Sequence, residues 1–297
     1  MAAREPEHIL GAAIGNRKFV SPDVCVTCNR HAGVYIDQPF ADLLWVREQR
    51  HRLQIRDRRG NVPPAPTVTG TLDDGTKAVA VLDNSRDWDL RLLPSEHPQP
   101  DGSVIYGSGA HDLQELKAKK LERLKRDHPG RDVEIVEIES RVIEEPVLTF
   151  HFELNKTLWP RFGAKVALNI GRELLGPGWL NSSWAAYLRE LFWGRPAVAP
   201  VPFSELDPLP IRATGEQLGG YKPAPHHIIL VVNTATGPMM EIVLFSEDTY
   251  HVPLGGLAIV QQTAWIVDTY TGSYQRMGYT DFLRQTAHDV IRQSASA

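Results

Sequence analysis

The sequence predicts an α+β fold in which a small N-terminal module precedes a larger mixed domain. Strand-like and helix-like segments are interspersed along the chain, without the regular alternation that a doubly wound sheet would show. Both cysteines and a dense group of arginines lie within residues 1–59, and the Pro-rich segment GNVPPAPTVTG over residues 60–70 has the composition of a linker. We therefore expect a module over residues 1–59, a linker over 60–70 and an α+β domain over 71–297.

The first half of the larger domain is expected to contain a hairpin and a helix. In PTVTGTLDDGTKAVAVL, apolar and polar residues alternate on both sides of Asp74 and Gly75, which predicts two strands joined by a turn. A helix is predicted next, from leucines that recur at helical spacing: Leu113, Leu116, Leu121 and Leu124. Two strand-like runs follow it, DVEIVEI and VLTFHFEL.

The second half is expected to contain three helices and four strands. LWPRFGAKVALNIGRELLG predicts a buried helix that ends at Gly176 and Pro177, and NSSWAAYLRELFWG predicts a helix capped by Asn181 or Ser182. Four strands are predicted from HHIILVVN, MEIVLFSE, TYHVPL and TAWIVDTY. YTDFLRQTAHDVIRQ predicts a terminal helix.

The composition limits the classes of function. The 297 residues are 42% hydrophobic and 23% charged, as in globular proteins, and the net charge of −4 means that a polyanionic partner would need a local basic patch. The N-terminal MAAREPEHIL has no apolar signal core, and runs such as IILVV are far too short to span a membrane. We expect a soluble cytoplasmic protein with no membrane partner. The phosphate-loop, dinucleotide-binding and nucleophile-elbow motifs are absent from the sequence.

An ordered set of motifs occupies residues 5–44. EHI contains Glu7 followed by His8, a glycine-containing turn leads to VCVTCN, and Gly33 and the pair Ile36–Asp37 come after it. This order resembles the HNH endonucleases, the ββα-metal nucleases, in the branch with E-H-I, V-C-x-x-C-N and I-D motifs.

The resemblance implies the chemistry of a metal-dependent nuclease. His8 would be the general base that removes a proton from the attacking water. Glu7 and Asn29 would bind a catalytic Mg or Mn ion, since carboxylate and amide oxygens suit hard divalent cations. Cys25 and Cys28 would hold a separate structural zinc ion. An isolated C-x-x-C also occurs in redox proteins, but the βαβ context of that class is missing here.

The chain departs from the family pattern in its zinc ligands. A structural zinc site takes four ligands, and the C-x-x-C expected upstream of the EHI motif is missing. Either the natural start lies upstream of Met1, which we favour, or the zinc site has been lost, and His31 is an alternative ligand. Outside residues 5–44 the resemblance is weak, although RFGAKVALN over residues 161–169 is similar to a helix in larger family members.

Two residues of the motif also have purely structural interpretations. Asn29 is a residue type that caps helices, so it is either a metal ligand or a cap. Asp37 precedes QPFADLLWV and is expected to be a cap or turn residue of that segment rather than a ligand.

A basic segment, REQRHRLQIRDRRG, follows the motif. It has a net charge of +4, from six arginines against Glu48 and Asp57. Such a concentration of charge can bind nucleic-acid phosphates, or it can form a solvated surface. The predicted DNA-binding residues are Arg47, Arg50, Arg52, Arg56, Arg58 and Arg59.

The sequence therefore predicts an HNH-type endonuclease that hydrolyses phosphodiester bonds in DNA. Two alternatives stay open. In the first, the chain binds nucleic acid without cleaving it, through an incomplete zinc module. In the second, the C-terminal domain binds a ligand or partner, and the nuclease is its effector.

Overall fold

The structure is a computed structural model that describes residues 4–57, 59–82, 87–98, 100, 104–107, 113–127, 129, 147–151, 157–196, 226–234, 237–246, 248–255 and 260–294. Helices and strands are mixed along the chain, so the predicted α+β class is confirmed. None of the helices within these residues combines the length and the apolar character that crossing a bilayer requires.

The chain forms two compact units, Met1–Pro64 with Asn155–Ala297 in the first and Ala65–Leu154 in the second. This division differs from the predicted one, which separates residues 1–59 from everything after the linker. The reason is a shared core, in which Ile9 and Phe40 belong to the same buried cluster as Phe162 and Trp265. The N-terminal segment is therefore built into the first unit rather than standing as a module of its own.

The N-terminal segment is a hairpin followed by helical segments. Its elements are β1 (Arg4–His8), β2 (Val20–Cys25), α1 (Val26–Ala32), a π-helical segment (Gly33–Asp37), α2 (Gln38–Ala41) and α3 (Leu44–Arg52). Strands β1 and β2 are antiparallel, and Glu7 lies opposite Ser21. Asn16, which is fully buried, closes the loop between them by donating to the carbonyl oxygens of Leu10 and Phe19 at 2.7 and 2.8 Å.

The second unit confirms the predicted hairpin and helix. Its elements are β3 (Thr67–Leu72), β4 (Lys77–Leu82), β5 (Trp88–Leu92), β6 (Ser95–Pro98), β7 (Val104–Gly107), α4 (Leu113–Asp127) and β8 (Leu148–Thr149). Four of the strands form a sheet in the order β5-β4-β3-β8, and β6 pairs with β7. The predicted strand DVEIVEI lies outside the described residues, as does part of VLTFHFEL.

Two helices of the first unit follow, α5 (Leu158–Leu175) and α6 (Ser183–Phe192), with a short 3-10 helix (Pro177–Asn181) between them. Both predicted helices are confirmed. Ser182 is the N-cap of α6, because its Oγ accepts a hydrogen bond from the Ala185 backbone N–H at 3.1 Å. Leu158, Phe162 and Ile170 of α5 are buried in the shared core.

A five-stranded antiparallel sheet completes the first unit. Its strands are β9 (His226–Thr234), β10 (Gly237–Leu244), β11 (Asp248–Pro253), β12 (Thr263–Asp268) and β13 (Tyr274–Gly278), in the order β11-β10-β9-β12-β13, and the terminal helix α7 (Tyr279–Ser294) follows. The four predicted strands and the terminal helix are confirmed. One sheet face contributes Ile229 and Trp265 to the shared core, whereas the other packs Leu230 against Phe282 of α7.

A buried histidine joins this sheet to the loop after β1. His227 is fully buried, its Nε2 donates to the Ile14 carbonyl oxygen at 2.7 Å, and its Nδ1 accepts from the Phe245 backbone N–H at 3.2 Å. Burial is the main cause that lowers the pKa of His227 from 6.5 to about 4. The folded protein therefore holds this imidazole neutral over a range in which the unfolded chain protonates it.

We expect His227 to destabilise the fold in acid. The free energy of unfolding is unaffected by this titration above pH 6.5. It falls by about 3 kcal/mol as the pH drops toward 4, because the unfolded chain then binds a proton that the folded chain does not. Glu7, whose pKa is raised to about 7, acts with the opposite sign, so the parent must be compared with His227→Gln. Urea unfolding should show the variant less stable at pH 7, with the difference shrinking toward pH 4.5. A constant difference would contradict this prediction.

Candidate functional site

The residues of the EHI motif lie at the end of the first strand of the hairpin. His8 is the last residue of β1, lies opposite Val20 of β2 and is partly buried. Since neighbouring side chains on a strand alternate between faces, Glu7 and His8 point to opposite sides of the hairpin. Strand β2 runs directly into α1, which gives the strand-strand-helix order that the resemblance implies. The HNH assignment itself stays a prediction.

Glu7 faces the interior and lies beside a buried lysine. The residue is 4% exposed, and its Oε1 is 3.7 Å from Nζ of Lys165, whose side chain is fully buried. That distance is too long for a hydrogen bond, and Oε1 accepts none from any described residue. Lys165 Nζ donates instead to both carboxylate oxygens of Asp37, at 2.7 Å each. Two carboxylates and one ammonium thus form a cluster of Glu7, Asp37 and Lys165, in which Glu7 and Lys165 are buried and the Asp37 side chain is 19% exposed.

The environment of Glu7 favours its protonated form. Burial raises the pKa of Glu7 to about 7, the Lys165 ammonium opposes this, and the neighbouring Asp37 carboxylate reinforces it. Near pH 7 the Glu7 carboxyl is therefore partly protonated, which reduces the negative charge that the two carboxylates hold against one ammonium.

Asn29 lies in the middle of α1 and contacts a different carboxylate. Its Nδ2 donates to Glu5 Oε1 at 2.7 Å and to the Pro6 carbonyl oxygen at 3.3 Å. The helix is capped by Cys25, so the interpretation of Asn29 as a cap is wrong. The amide instead ties α1 back to β1.

Glu7 and Asn29, the two predicted ligands of the catalytic ion, contact different partners in the structure. Glu7 lies against the cation Lys165, while Asn29 is hydrogen-bonded to Glu5. Among the described residues, no group of three or more His, Cys, Asp or Glu side chains is arranged to hold a metal ion. Asn29 makes its hydrogen bonds through Nδ2, so they do not engage its Oδ1, the atom that would bind an ion.

The two cysteines are paired with each other. Cys25 and Cys28 form a disulfide at the start of α1, and the Cys28 backbone N–H donates to Cys25 Sγ at 3.0 Å. Zinc binds thiolates, so the zinc prediction concerns the reduced form of this pair. His31, the alternative zinc ligand, has another partner: its Nε2 accepts a hydrogen bond from Arg161 Nη2 at 3.1 Å.

A polar stripe on α5, formed by Arg161, Lys165, Asn169 and Arg172, faces the N-terminal segment. Three residues of the stripe make contacts with this segment: Arg161 contacts His31, Lys165 contacts Asp37, and Arg172 forms a 3.0 Å ion pair with Asp23. Positions three or four apart share one face of a helix, so a single face of α5 makes all of these contacts with the N-terminal segment.

Asp37 was predicted to be a cap or turn residue, but its side chain has a different role. This residue makes no helix-cap hydrogen bond, because its carboxylate binds Lys165 instead. Lys165 was missed by the sequence prediction. The signal available was a lysine and an asparagine four residues apart, Lys165 and Asn169, within the otherwise apolar stretch FGAKVALNI.

The predicted basic surface is divided by the fold. Arg50 is 6% exposed and donates to the Ala41 carbonyl oxygen at 3.3 Å, so it lies inside rather than on the surface. Arg52 pairs with Glu48 of α3 at 2.8 Å. Arg56 and Arg59 are exposed, Arg47 is half-buried, and Arg58 lies outside the described residues.

The exposed arginines give a test of DNA binding. If they contact phosphates, the double variant Arg56→Gln, Arg59→Gln should weaken DNA binding on all sequences alike. It should also reduce the slope of log K against log salt by about two units, because each duplex phosphate contact contributes about 0.9. Arg50→Gln should leave the slope unchanged, since this residue is buried. An unchanged slope in the double variant would show that these two arginines form a solvated surface.

Comparison of the chain with protein-family models, with curated proteins and with solved structures gave no match.

Proposed function

We propose that this protein is an HNH-type endonuclease that hydrolyses phosphodiester bonds in DNA, with His8 as the general base. The observation that carries the proposal is the position of His8, the last residue of the first strand in a hairpin that continues directly into a helix. The sequence motifs EHI and VCVTCN fall on β1 and at the β2–α1 junction. Exposed arginines follow on the same segment, where they supply positive charge for a phosphate backbone.

The chemical role of the protein's own residues is proton removal. A neutral imidazole within reach of the attacking water takes its proton as the oxygen attacks phosphorus, and proton transfer of this kind contributes about 10²–10⁴ in rate. The hairpin holds His8 in place, because the two residues that follow it, Ile9 and Leu10, are buried in the core. A Mg or Mn ion, when bound, would stabilise the negative charge that develops on the phosphate.

A second candidate function is DNA binding without cleavage. The observation in its favour is that Glu7 lies beside the Lys165 ammonium, a cation supplied by the chain, while Asn29 is hydrogen-bonded to Glu5. In this case the exposed arginines would still bind phosphates, and His8 would have no chemical role.

Cleavage and binding measured side by side distinguish the two candidates. The full chain is incubated with labelled duplex DNA in Mg²⁺, in Mn²⁺ and in a chelator, and binding is measured on the same samples. The nuclease proposal predicts products with a divalent ion and bound but uncleaved DNA in the chelator. Binding that never leads to cleavage in either ion would favour the second candidate.

A further inference from the structure

The cluster of Glu7, Asp37 and Lys165 has the form of a cation site that is filled by the chain itself. Lys165 Nζ is 2.7 Å from each Asp37 oxygen, so the ammonium lies where both lone-pair directions of that carboxylate converge. A metal ion bound in a bidentate manner by Asp37 would take this same position.

Glu7 supplies the second half of the site. It is 4% exposed, and its Oε1 points at the Lys165 ammonium from 3.7 Å without accepting a hydrogen bond from a described residue. A buried carboxylate oxygen normally has a hydrogen-bond partner or a close cation. Here the ammonium is hydrogen-bonded to Asp37 and stands 3.7 Å from Glu7 Oε1, although the Lys165 and Asn169 side chains both interact with the Glu7 carboxyl group.

Charge repulsion disfavours a second cation beside the Lys165 ammonium. A divalent ion placed between the two carboxylates would meet the Lys165 ammonium at close range, and like charges at such distances repel strongly in a buried site.

We infer that Lys165 takes the place of a hard divalent cation between Glu7 and Asp37, so that the ammonium and an ion such as Mn²⁺ compete for the same two carboxylates. The two ligands, the carboxylates of Glu7 and Asp37, bind through oxygen, which suits Mg²⁺ and Mn²⁺ rather than softer ions. The inference concerns cation binding alone and does not depend on nuclease activity.

Removing the ammonium should therefore open the site. In the full chain, Lys165→Met keeps an unbranched side chain of similar length and removes the charge. We expect this variant to bind one equivalent of Mn²⁺ at least about tenfold more tightly than the parent, measured by titration calorimetry. Adding Glu7→Gln to Lys165→Met should return the affinity to that of the parent.

Arg172→Met is the matched control, because it removes one positive charge from the same helix at a more exposed ion pair with Asp23. It should bind Mn²⁺ like the parent. If the methionine variant does not fold, Lys165→Gln is used, and Mn²⁺ should raise its melting temperature or recover folded protein on refolding. A folded Lys165 variant with parental Mn²⁺ affinity would overturn the inference. So would an equal gain in Arg172→Met, or the absence of any Mn²⁺ effect on both Lys165 variants.

Discussion

Lys165→Met is expected to lower the free energy of unfolding by about 3–5 kcal/mol, because removing one partner of a buried ion pair leaves an uncompensated charge. Lys165 is fully buried and donates to both oxygens of Asp37, and Glu7 faces it from 3.7 Å. The loss is a large part of a typical domain stability of roughly 5–15 kcal/mol. It should be measured by urea unfolding at constant pH.

The more exposed ion pair of Arg172 and Asp23, on the same helix, is the comparison for this loss of stability. Arg172 and Asp23 form an ion pair whose side chains are 27% and 47% exposed, so Arg172→Met should cost at most about 1 kcal/mol. Adding Asp37→Asn to Lys165→Met should recover part of the lost stability, because it removes one of the two stranded carboxylates. If Lys165→Met and Arg172→Met lower the free energy of unfolding equally, Lys165 does not hold the N-terminal segment to α5.

Helices and strands were predicted correctly where the residues of the segment itself determine its structure. The helix over Leu158–Leu175 follows from its apolar periodicity and ends before Gly176, and Ser182 caps the next helix as its residue type suggests. The hairpin around Asp74 and Gly75 is likewise set by turn chemistry that a short window reveals. Strand β13, Tyr274–Gly278, was missed because its residues YQRMG lack an alternating apolar pattern.

Contacts between distant segments were not predictable from such patterns. Apolar residues such as Ile9 and Phe40 could equally form a small core of their own or join a larger one, and only the folded chain shows that they pack with Trp265. The arginines of α3 illustrate the same limit, because the face on which a residue lies decides its role. Arg50 is buried, whereas Arg47 is only half-buried three residues earlier.

The sequence identified residues of the candidate site, but it did not predict which side chains contact each other. The strand-strand-helix order around His8 agrees with the motif order. The partner of Glu7 lies 158 positions away in the sequence, as the contact with Lys165 shows. No motif spacing within residues 5–44 specifies that lysine, so its contact with Glu7 could not be predicted from the motif.

His8→Ala is expected to lower the rate of DNA cleavage by about 10²–10⁴, the usual contribution of a positioned general base. DNA binding should stay close to that of the parent, because in the proposed mechanism the imidazole only transfers a proton, while the exposed arginines would bind the phosphates. The folded state should also persist, since His8 is partly exposed while the core residues Ile9 and Leu10 after it are unchanged. His288→Ala is the matched control, as it removes an exposed histidine on α7.

The most direct test of the nuclease proposal is the single-turnover rate of duplex DNA cleavage by the parent, His8→Ala and His288→Ala, purified identically and assayed in Mn²⁺ at equal DNA occupancy. The proposal predicts rapid cleavage by the parent and His288→Ala, and a loss of about 10²-fold or more in His8→Ala. Cleavage by His8→Ala at the parental rate would contradict the assignment of His8 as the base, and absence of cleavage in all three proteins would contradict the nuclease function itself.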